Sequence, residues 1–219
     1  MSATRPLSQL IHFPIQSGES GPPVIVLHDH NQYAKNVAKW GVAASPNGKV
    51  TSLESYKGVY IGHEVMGYTW FLGPQEAPSP IFFGDSLSEI ERFLWDEIDR
   101  SNTDSPTLPY LLGIGQGGIM AIATALAVPE LVSGVIAIDA FLPKVPGWNP
   151  PLAPMNQLPV LLINPRESAH SGVWAEGKLV EQLQHWGTKV TAITQPDLSP
   201  DIMDVSNWLL KHGVKTLAR

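Results

Sequence analysis

The stretch Leu111-Leu112-Gly113-Ile114-Gly115-Gln116-Gly117-Gly118-Ile119-Met120 decides the fold of this 219-residue chain. It begins as an apolar run, passes through a glycine-dense turn and continues in a pattern typical of a helix. A strand that turns sharply into a helix packed against it has this arrangement, because such a turn leaves no room for side chains. We therefore expect a strand over 110–113, a positive φ at Gly115 and a small-residue helix over 117–128.

The same glycines could also form the phosphate-binding loop of a dinucleotide-binding fold, which likewise follows a strand and opens a helix. Two features disfavour that interpretation. The third glycine of the fingerprint is misplaced, and no acidic residue ends a strand about 20 residues further on, where such folds bind the ribose. Asp139 is the nearest candidate for that acidic position.

The glycine-rich turn resembles the nucleophile elbow of the α/β-hydrolase fold, in the phospholipase/carboxylesterase branch that includes the acyl-protein thioesterases. There the turn reads Gly-x-Ser-x-Gly and often Gly-Phe-Ser-Gln-Gly-Gly. Gly113, Gln116, Gly117 and Gly118 match this pattern, but the nucleophile position holds Gly115. The resemblance implies a single domain over 1–219, folded as a three-layer sandwich with a mostly parallel, doubly wound sheet.

The other two positions of the catalytic triad are also substituted when the sequence is aligned by this resemblance. Where the family reads His-Gly-x-x-Asp, the chain has Asn164-Pro165-Arg166-Glu167-Ser168, which places Ser168 at the acid. Where the family reads Gly-His-x-x-Ser-Pro, the chain has Gln195-Pro196-Asp197-Leu198-Ser199-Pro200, which places Pro196 at the base. Loss of nucleophile, base and acid together removes every triad role, so we assign no catalytic residue.

Polar residues follow the apolar strand over 24–28, in the loop that supplies one oxyanion-hole N–H in the family. The family reads Leu-His-Gly there, whereas this chain continues as Asp29-His30-Asn31-Gln32. Open α/β sheets bind ligands at the carboxyl ends of their strands. The N–H of Gln116, at a helix N-terminus, could still bind a carbonyl oxygen or a carboxylate. The candidate ligand-binding residues are Asp29, His30, Asn31, Gln32, Gln116, Tyr68 and Trp70, the last two from an aromatic stretch over 68–71.

Other interpretations of the same residues, without a ligand-binding pocket, also fit the sequence. The aromatic side chains could simply fill the edge of the core, and the loop over 29–32 could simply be solvated. His28 and His30 alternate along an extended segment and could together bind a metal, but His28 stands where the family has a structural histidine. We therefore predict neither a metal site nor a cofactor.

Three functions fit these observations. The first is a pseudoenzyme that binds a small ligand or a protein partner without chemistry. The second is an enzyme with non-triad chemistry, such as proton transfer, elimination or a lyase reaction. The third is residual esterase activity from relocated residues, such as Ser168 or Ser199 with His30 or His170. A histidine within hydrogen-bond reach of a hydroxyl at the pocket floor would favour the third.

Composition excludes several other classes. A net charge of −6 without a basic run gives no electrostatic reason to expect nucleic acid or an anionic membrane as a partner. The absence of cysteine excludes disulfides, thiolate catalysis and cysteine-ligated metals. The first residues lack the apolar core of a signal peptide, and no stretch approaches 18 continuous apolar residues, so a cytoplasmic protein without a membrane span is expected. A homo-oligomer is compatible with this composition.

Hydrophobic periodicity and turn residues predict the remaining elements. The predicted strands lie over 9–15, 24–28, 134–138, 159–164 and 189–193, and the segment 49–60 carries another that ends near Gly58. The predicted helices lie over 33–44, from two overlapping capping boxes at 86–91 to 100, over 173–186 and over 199–212. We expect irregular structure over 62–80 and a proline-rich loop over 143–159, which is the natural site of a lid.

Overall fold

The computed structural model describes residues 8–101, 103–165, 178–195 and 205–217. Within these residues a seven-stranded sheet forms the centre of the fold, with the strand order β1-β3-β2-β6-β7-β8-β9. β1 pairs with β3 in antiparallel orientation, and every other neighbouring pair in this sheet is parallel. The expected mostly parallel, doubly wound sheet is therefore confirmed.

The strands are β1 (Ile11–Ser17), β2 (Gly21–Leu27), β3 (Gly48–Glu54), β4 (Gly58–Ile61), β5 (Glu64–Tyr68), β6 (Tyr110–Ile114), β7 (Gly134–Ile138), β8 (Pro159–Pro165) and β9 (Lys189–Gln195). The helices are α1 (Ala34–Ala44), α2 (Pro80–Arg100), α3 (Gln116–Ala127), α4 (Lys178–His185) and α5 (Val205–His212), with a short 3₁₀ turn at Pro129–Leu131. No helix among the described residues is long and apolar enough to cross a membrane.

Alternation along the central strands divides the core into two layers. Val24 and Val26 of β2 face the side covered by α1 and α5, whereas Ile25 and Leu27 face the side covered by α2, α3 and α4. Successive residues of a strand point to opposite faces, so a strand buried on both faces must be apolar throughout. This explains the continuous apolar runs of β2, β6, β7 and β8, and it gives the three-layer sandwich that the sequence predicted.

The expectation of one strand within 49–60, ending near Gly58, followed by irregular structure over 62–80 was wrong. β3 ends at Glu54, and β4 and β5 form a separate antiparallel hairpin. Gly62 closes the hairpin turn with a φ of 62°. Both strands are largely exposed and interrupted by glycine, so they carry no clear alternation of apolar and polar residues.

The start of α2 was also predicted too late. The helix begins at Pro80 rather than after Ser86, with Ser79 as the N-cap. Proline suits the first helical position because its missing N–H would have no partner there. Ser86 lies inside the helix, is fully buried and donates a hydrogen bond to the carbonyl of Trp70. Of the two predicted C-terminal helices, only 178–186 and 205–212 lie within the described residues, where α4 and α5 form.

Candidate functional site

The turn between β6 and α3 has the backbone conformation of a nucleophile elbow. Gly115 has a φ of 52° and a ψ of −119°, which confirms the positive φ predicted from the sequence. Such a conformation strains any residue that carries a Cβ, and glycine removes that strain. The elbow therefore survives in this chain without a side chain at its tip.

The carboxylate of Asp29 occupies the space above Gly115. A Cβ built on Gly115 would lie within 2.5 Å of Cγ and both oxygens of Asp29, closer than a real Cβ approaches. Oδ1 accepts hydrogen bonds from the backbone N–H of His30, at 2.6 Å, and from that of Gln116, at 2.9 Å. The side chain of Asp29 thus takes the place that a side chain at position 115 would need.

The two N–H groups that bind Asp29 correspond to an oxyanion hole. In the α/β-hydrolase fold the hole combines the N–H of the residue after the nucleophile with one from a loop at the end of another strand. Gln116 follows the elbow residue, and His30 lies in the loop after β2. Both donors converge on Oδ1, so the hole is filled by the protein's own carboxylate.

Asp29 carries its charge in an unfavourable environment. Burial raises the pKa of its carboxyl, the N–H groups of Gln116 and His30 act to lower it, and the negative charge of Asp139 adds to the rise. Asp139 directly follows β7 with a φ of 49°. The N–H of Gly115 donates to the carbonyl of Ile138 at 2.9 Å, which places the ends of β6 and β7 side by side. Two acidic residues therefore belong to this edge of the sheet.

Thr69 connects the loop after β2 to the start of α3. Its hydroxyl lies 2.8 Å from Oε1 of Gln116, 2.9 Å from the carbonyl of Phe71 and 3.0 Å from Nδ1 of His30. Oε1 of Gln116 also accepts the N–H of Trp70 at 3.1 Å. Gln116 and Thr69 are buried, whereas His30 is exposed. The sequence analysis did not single out Thr69, because an isolated threonine in an aromatic stretch carries no motif.

His28 supports the loop from below, as the family resemblance implied. It is fully buried and stacks on Trp70 with ring centroids 4.9 Å apart. Its Nδ1 lies 2.7 Å from the carbonyl of Asp29, and its Nε2 lies 3.1 Å from the backbone N of Ser55. Burial lowers the pKa of His28 to about 4. Both ring nitrogens are therefore engaged within the protein, and His28 has no lone pair left for a metal.

The remaining candidate residues lie in different surroundings. Trp70 is fully buried, and its indole N–H donates to the carbonyl of His28 at 2.8 Å. Tyr68 is half-buried, and its N–H donates to the carbonyl of Gln32 at 3.0 Å. Asn31 is exposed, with a φ of 54°. The structure thus brings Asp29, His30 and Gln116 together and places the Trp70 ring in the core; a ligand-binding role for the seven residues stays a prediction.

The residues that the family resemblance aligns with the catalytic acid and base lie in the last third of the chain. Ser168 and Pro196 lie outside the described residues, as do Ser199 and His170.

A second polar cluster, which the sequence analysis missed, lies beside the same strand ends. Nζ of Lys57 is 3.1 Å from Oδ2 of Asp85 and 2.9 Å from Oγ of Ser86. The hydroxyl of Tyr56 donates to Asp85, and burial lowers the pKa of Lys57. The cluster ties the loop after β3 to α2. Its only sequence signal is the pair of polar residues directly after a buried strand.

The fold agrees with the comparisons to known proteins. A carboxylesterase from Mesorhizobium loti has a TM-score of 0.73 at 16% identity, covering 88% of this chain and 90% of that one. A carboxylesterase from Bacillus cereus has a TM-score of 0.72 at 15% identity, covering 94% of this chain and 95% of that one. At these identities the likeness shows the fold.

Sequence comparison gives the family. The Nocardia uniformis subsp. tsuyamanensis protein NocK, which is named an esterase, is 27% identical over 149 residues, 66% of this chain but only 39% of NocK. The chain therefore matches well under half of the length of that relative. The model of the phospholipase/carboxylesterase family matches residues 73–214, more than half of the chain. The chain belongs to the phospholipase/carboxylesterase family of α/β-hydrolases.

Proposed function

We propose that this chain is a non-hydrolytic member of its family, in which the former active site binds a small ligand or a protein partner without cleaving an ester. The observation that carries the proposal is the carboxylate of Asp29, whose Oδ1 accepts both N–H groups of the former oxyanion hole. Gly115 adds to it, because the elbow offers no nucleophile.

The occupied hole disfavours ester hydrolysis on energetic grounds. Loss of a single oxyanion-hole donor costs about 2.7–4 kcal/mol of transition-state stabilisation. Here both donors are already bound to a carboxylate. A developing oxyanion about 4 Å from that charge would also be repelled by about 4 kcal/mol at an effective dielectric constant of about 20. A nucleophile placed elsewhere in the site would meet the same penalty.

One observation favours a second candidate, an enzyme that transfers a proton. Burial raises the pKa of Asp29, and the charge of Asp139 raises it further. Carboxyl groups with a raised pKa are common among general acids and bases, because their proton affinity approaches that needed near neutral pH. In this alternative Asp29 would exchange a proton with a bound substrate. The N–H groups of His30 and Gln116 would hold that substrate.

Covalent labelling tests the proposal. We expect no stoichiometric labelling of the protein by a fluorophosphonate probe and negligible release of p-nitrophenol from p-nitrophenyl acetate and butyrate. Stoichiometric labelling would overturn the proposal, because it would show that another residue acts as the nucleophile. The variants Ser168→Ala and Ser199→Ala would then identify that residue, and His30→Ala and His170→Ala its base.

A further inference from the structure

Among the described residues, the two backbone N–H groups that the family uses as donors are occupied, and an oxygen of Asp29 remains available as an acceptor. The N–H groups of His30 and Gln116, which the family uses to bind an oxygen atom, are both taken up by Oδ1 of Asp29. Within the part of the chain that the structure describes, Oδ2 of Asp29 receives no hydrogen bond. A carboxylate oxygen has lone pairs and no proton to give. The half-buried carboxylate therefore presents an acceptor where the family presents donors.

The hydroxyl of Thr69 fixes the ring of His30 in one tautomer. Thr69 has a single hydroxyl proton, and both Oε1 of Gln116 and the carbonyl of Phe71 compete for it. Neither of these oxygens can donate, so the proton of Thr69 is directed to them. The contact of 3.0 Å between the Thr69 hydroxyl and Nδ1 of His30 must then be made by an Nδ1–H that donates. This leaves the lone pair of the neutral ring on Nε2.

We infer that Asp29 Oδ2 and His30 Nε2 form a pair of acceptors that binds a protonated primary amine. The inference rests on the proposed function and adds the chemical class of the ligand. An ammonium group has three N–H donors and no acceptor, so it can satisfy both groups. The family's oxyanion hole has the reverse polarity, because it stabilises a negative oxygen.

Electrostatics select an amine over a neutral donor at this position. The charges of Asp29 and Asp139 repel each other at this edge of the sheet. A cation bound to Asp29 offsets that repulsion. It also replaces the favourable interactions with water that the carboxylate loses on burial. A carboxylate ligand would meet the same two negative charges, and the N–H groups of His30 and Gln116 are already bound to Asp29. The site therefore discriminates by the sign of the charge.

Nuclear magnetic resonance spectroscopy tests the inference with two probes of equal size and opposite charge. The probes are n-butylammonium and butyrate, titrated to millimolar concentrations while the ring ¹⁵N and Cε1–H signals of His30 are followed. The spectra are recorded at a pH where the imidazole ring is neutral, so that the two tautomers are distinguishable. His63 in the exposed β4–β5 turn is the internal reference for a nonspecific effect.

We expect His30 in the Nδ1–H tautomer, saturable shifts with n-butylammonium and none with butyrate. Asp29→Asn should weaken binding of the ammonium probe about tenfold, because a charge-assisted hydrogen bond becomes a neutral one. Thr69→Val should release the tautomer and weaken binding, whereas Thr69→Ser should restore both. Thr69 is a positioning residue, and its tautomer readout separates this role from a merely structural one.

Any of three results would overturn the inference: binding of butyrate at least as tight as that of the ammonium probe, no binding of either probe, or His30 in the Nε2–H tautomer in the wild type. None of these results depends on ester hydrolysis. Conversely, fluorophosphonate labelling with intact binding of n-butylammonium would refute the proposed function alone. The two failures are therefore distinguishable.

Discussion

Replacement of Gly115 by alanine should destabilise the protein more than the same replacement at Gly62. Both glycines have a positive φ, 52° and 62° respectively. A Cβ on Gly62 would have nothing within 4 Å, whereas a Cβ on Gly115 would lie within 2.5 Å of Cγ and both oxygens of Asp29. Gly62→Ala therefore measures the backbone strain alone. Gly115→Ala measures the strain together with expulsion of the carboxylate.

The expected difference follows from the bonds that the carboxylate loses. A strained backbone with a positive φ costs a residue with a Cβ about 1–3 kcal/mol. Gly115→Ala also breaks the two N–H bonds to Asp29 Oδ1, and hydrogen bonds to charged groups contribute about 1.5–3 kcal/mol each. Resolvation of the expelled carboxylate offsets about half of that loss. We therefore expect about 1–3 kcal/mol for Gly62→Ala and about 3–6 kcal/mol for Gly115→Ala.

Urea denaturation of the two variants, followed by circular dichroism, measures both free energies of unfolding. The same Gly115→Ala change in an Asp29→Gly background provides a matched control, because the carboxylate is then absent. In that background its cost should fall to the backbone strain alone, about 1–3 kcal/mol. Equal costs for Gly115→Ala and Gly62→Ala in the otherwise wild-type chain would refute the placement of the Asp29 carboxylate above the elbow.

Three further predictions concern charge and restoration. Burial raises the pKa of the Asp29 carboxyl, so the contribution of this group to stability is greatest at low pH and is lost as the pH rises through the folded-state pKa. Asp29→Asn should therefore increase the free energy of unfolding at pH 7, and this increase should shrink on acidification. Burial lowers the pKa of His28 from 6.5 to about 4, so the neutral ring contributes about 3 kcal/mol to the free energy of unfolding, which should be lost as the pH falls from 6.5 towards 4. His28→Gln should remove this pH dependence in urea titrations. Gly115→Ser/Ser168→Asp/Pro196→His should recover little hydrolysis of p-nitrophenyl butyrate, and addition of Asp29→Gly should raise kcat; an unchanged kcat in the folded quadruple variant would count against Asp29 as the obstacle.

The sequence predicted the fold where the signal was local. The elbow, the buried strands and α1 follow from short patterns, because a tight glycine turn and a strand buried on both faces constrain each position directly. The β4–β5 hairpin and the start of α2 were missed for the opposite reason. The capping box at Ser86 is a stronger local pattern than Pro80, yet the helix begins at Pro80, where burial of Phe83 extends its contact with the core.

The site was predicted in part. Comparison with the family's Leu-His-Gly pattern placed Asp29 in the oxyanion loop, and the structure puts its carboxylate there. The hydrogen bonds of Gln116 with Thr69 and with Asp29 join positions 47 and 87 residues apart in the chain, so no local pattern encodes them. The backbone N–H of Gln116, which was expected to be available to a ligand, donates to Asp29 instead. Its partner was already present in the chain.

The glycine at position 115 and the aspartate at position 29 depend on each other. The carboxylate can enter the elbow only because no Cβ is present there, and its burial without both N–H groups would cost several kcal/mol. The family's arrangement, serine at the elbow and glycine in the loop, leaves the same N–H groups open to a substrate. An aspartate in the loop beside a serine elbow would lack this binding place, so the position of the carboxylate depends on the glycine. A serine restored at position 115 would consequently displace the Asp29 carboxylate into the space where a substrate must bind.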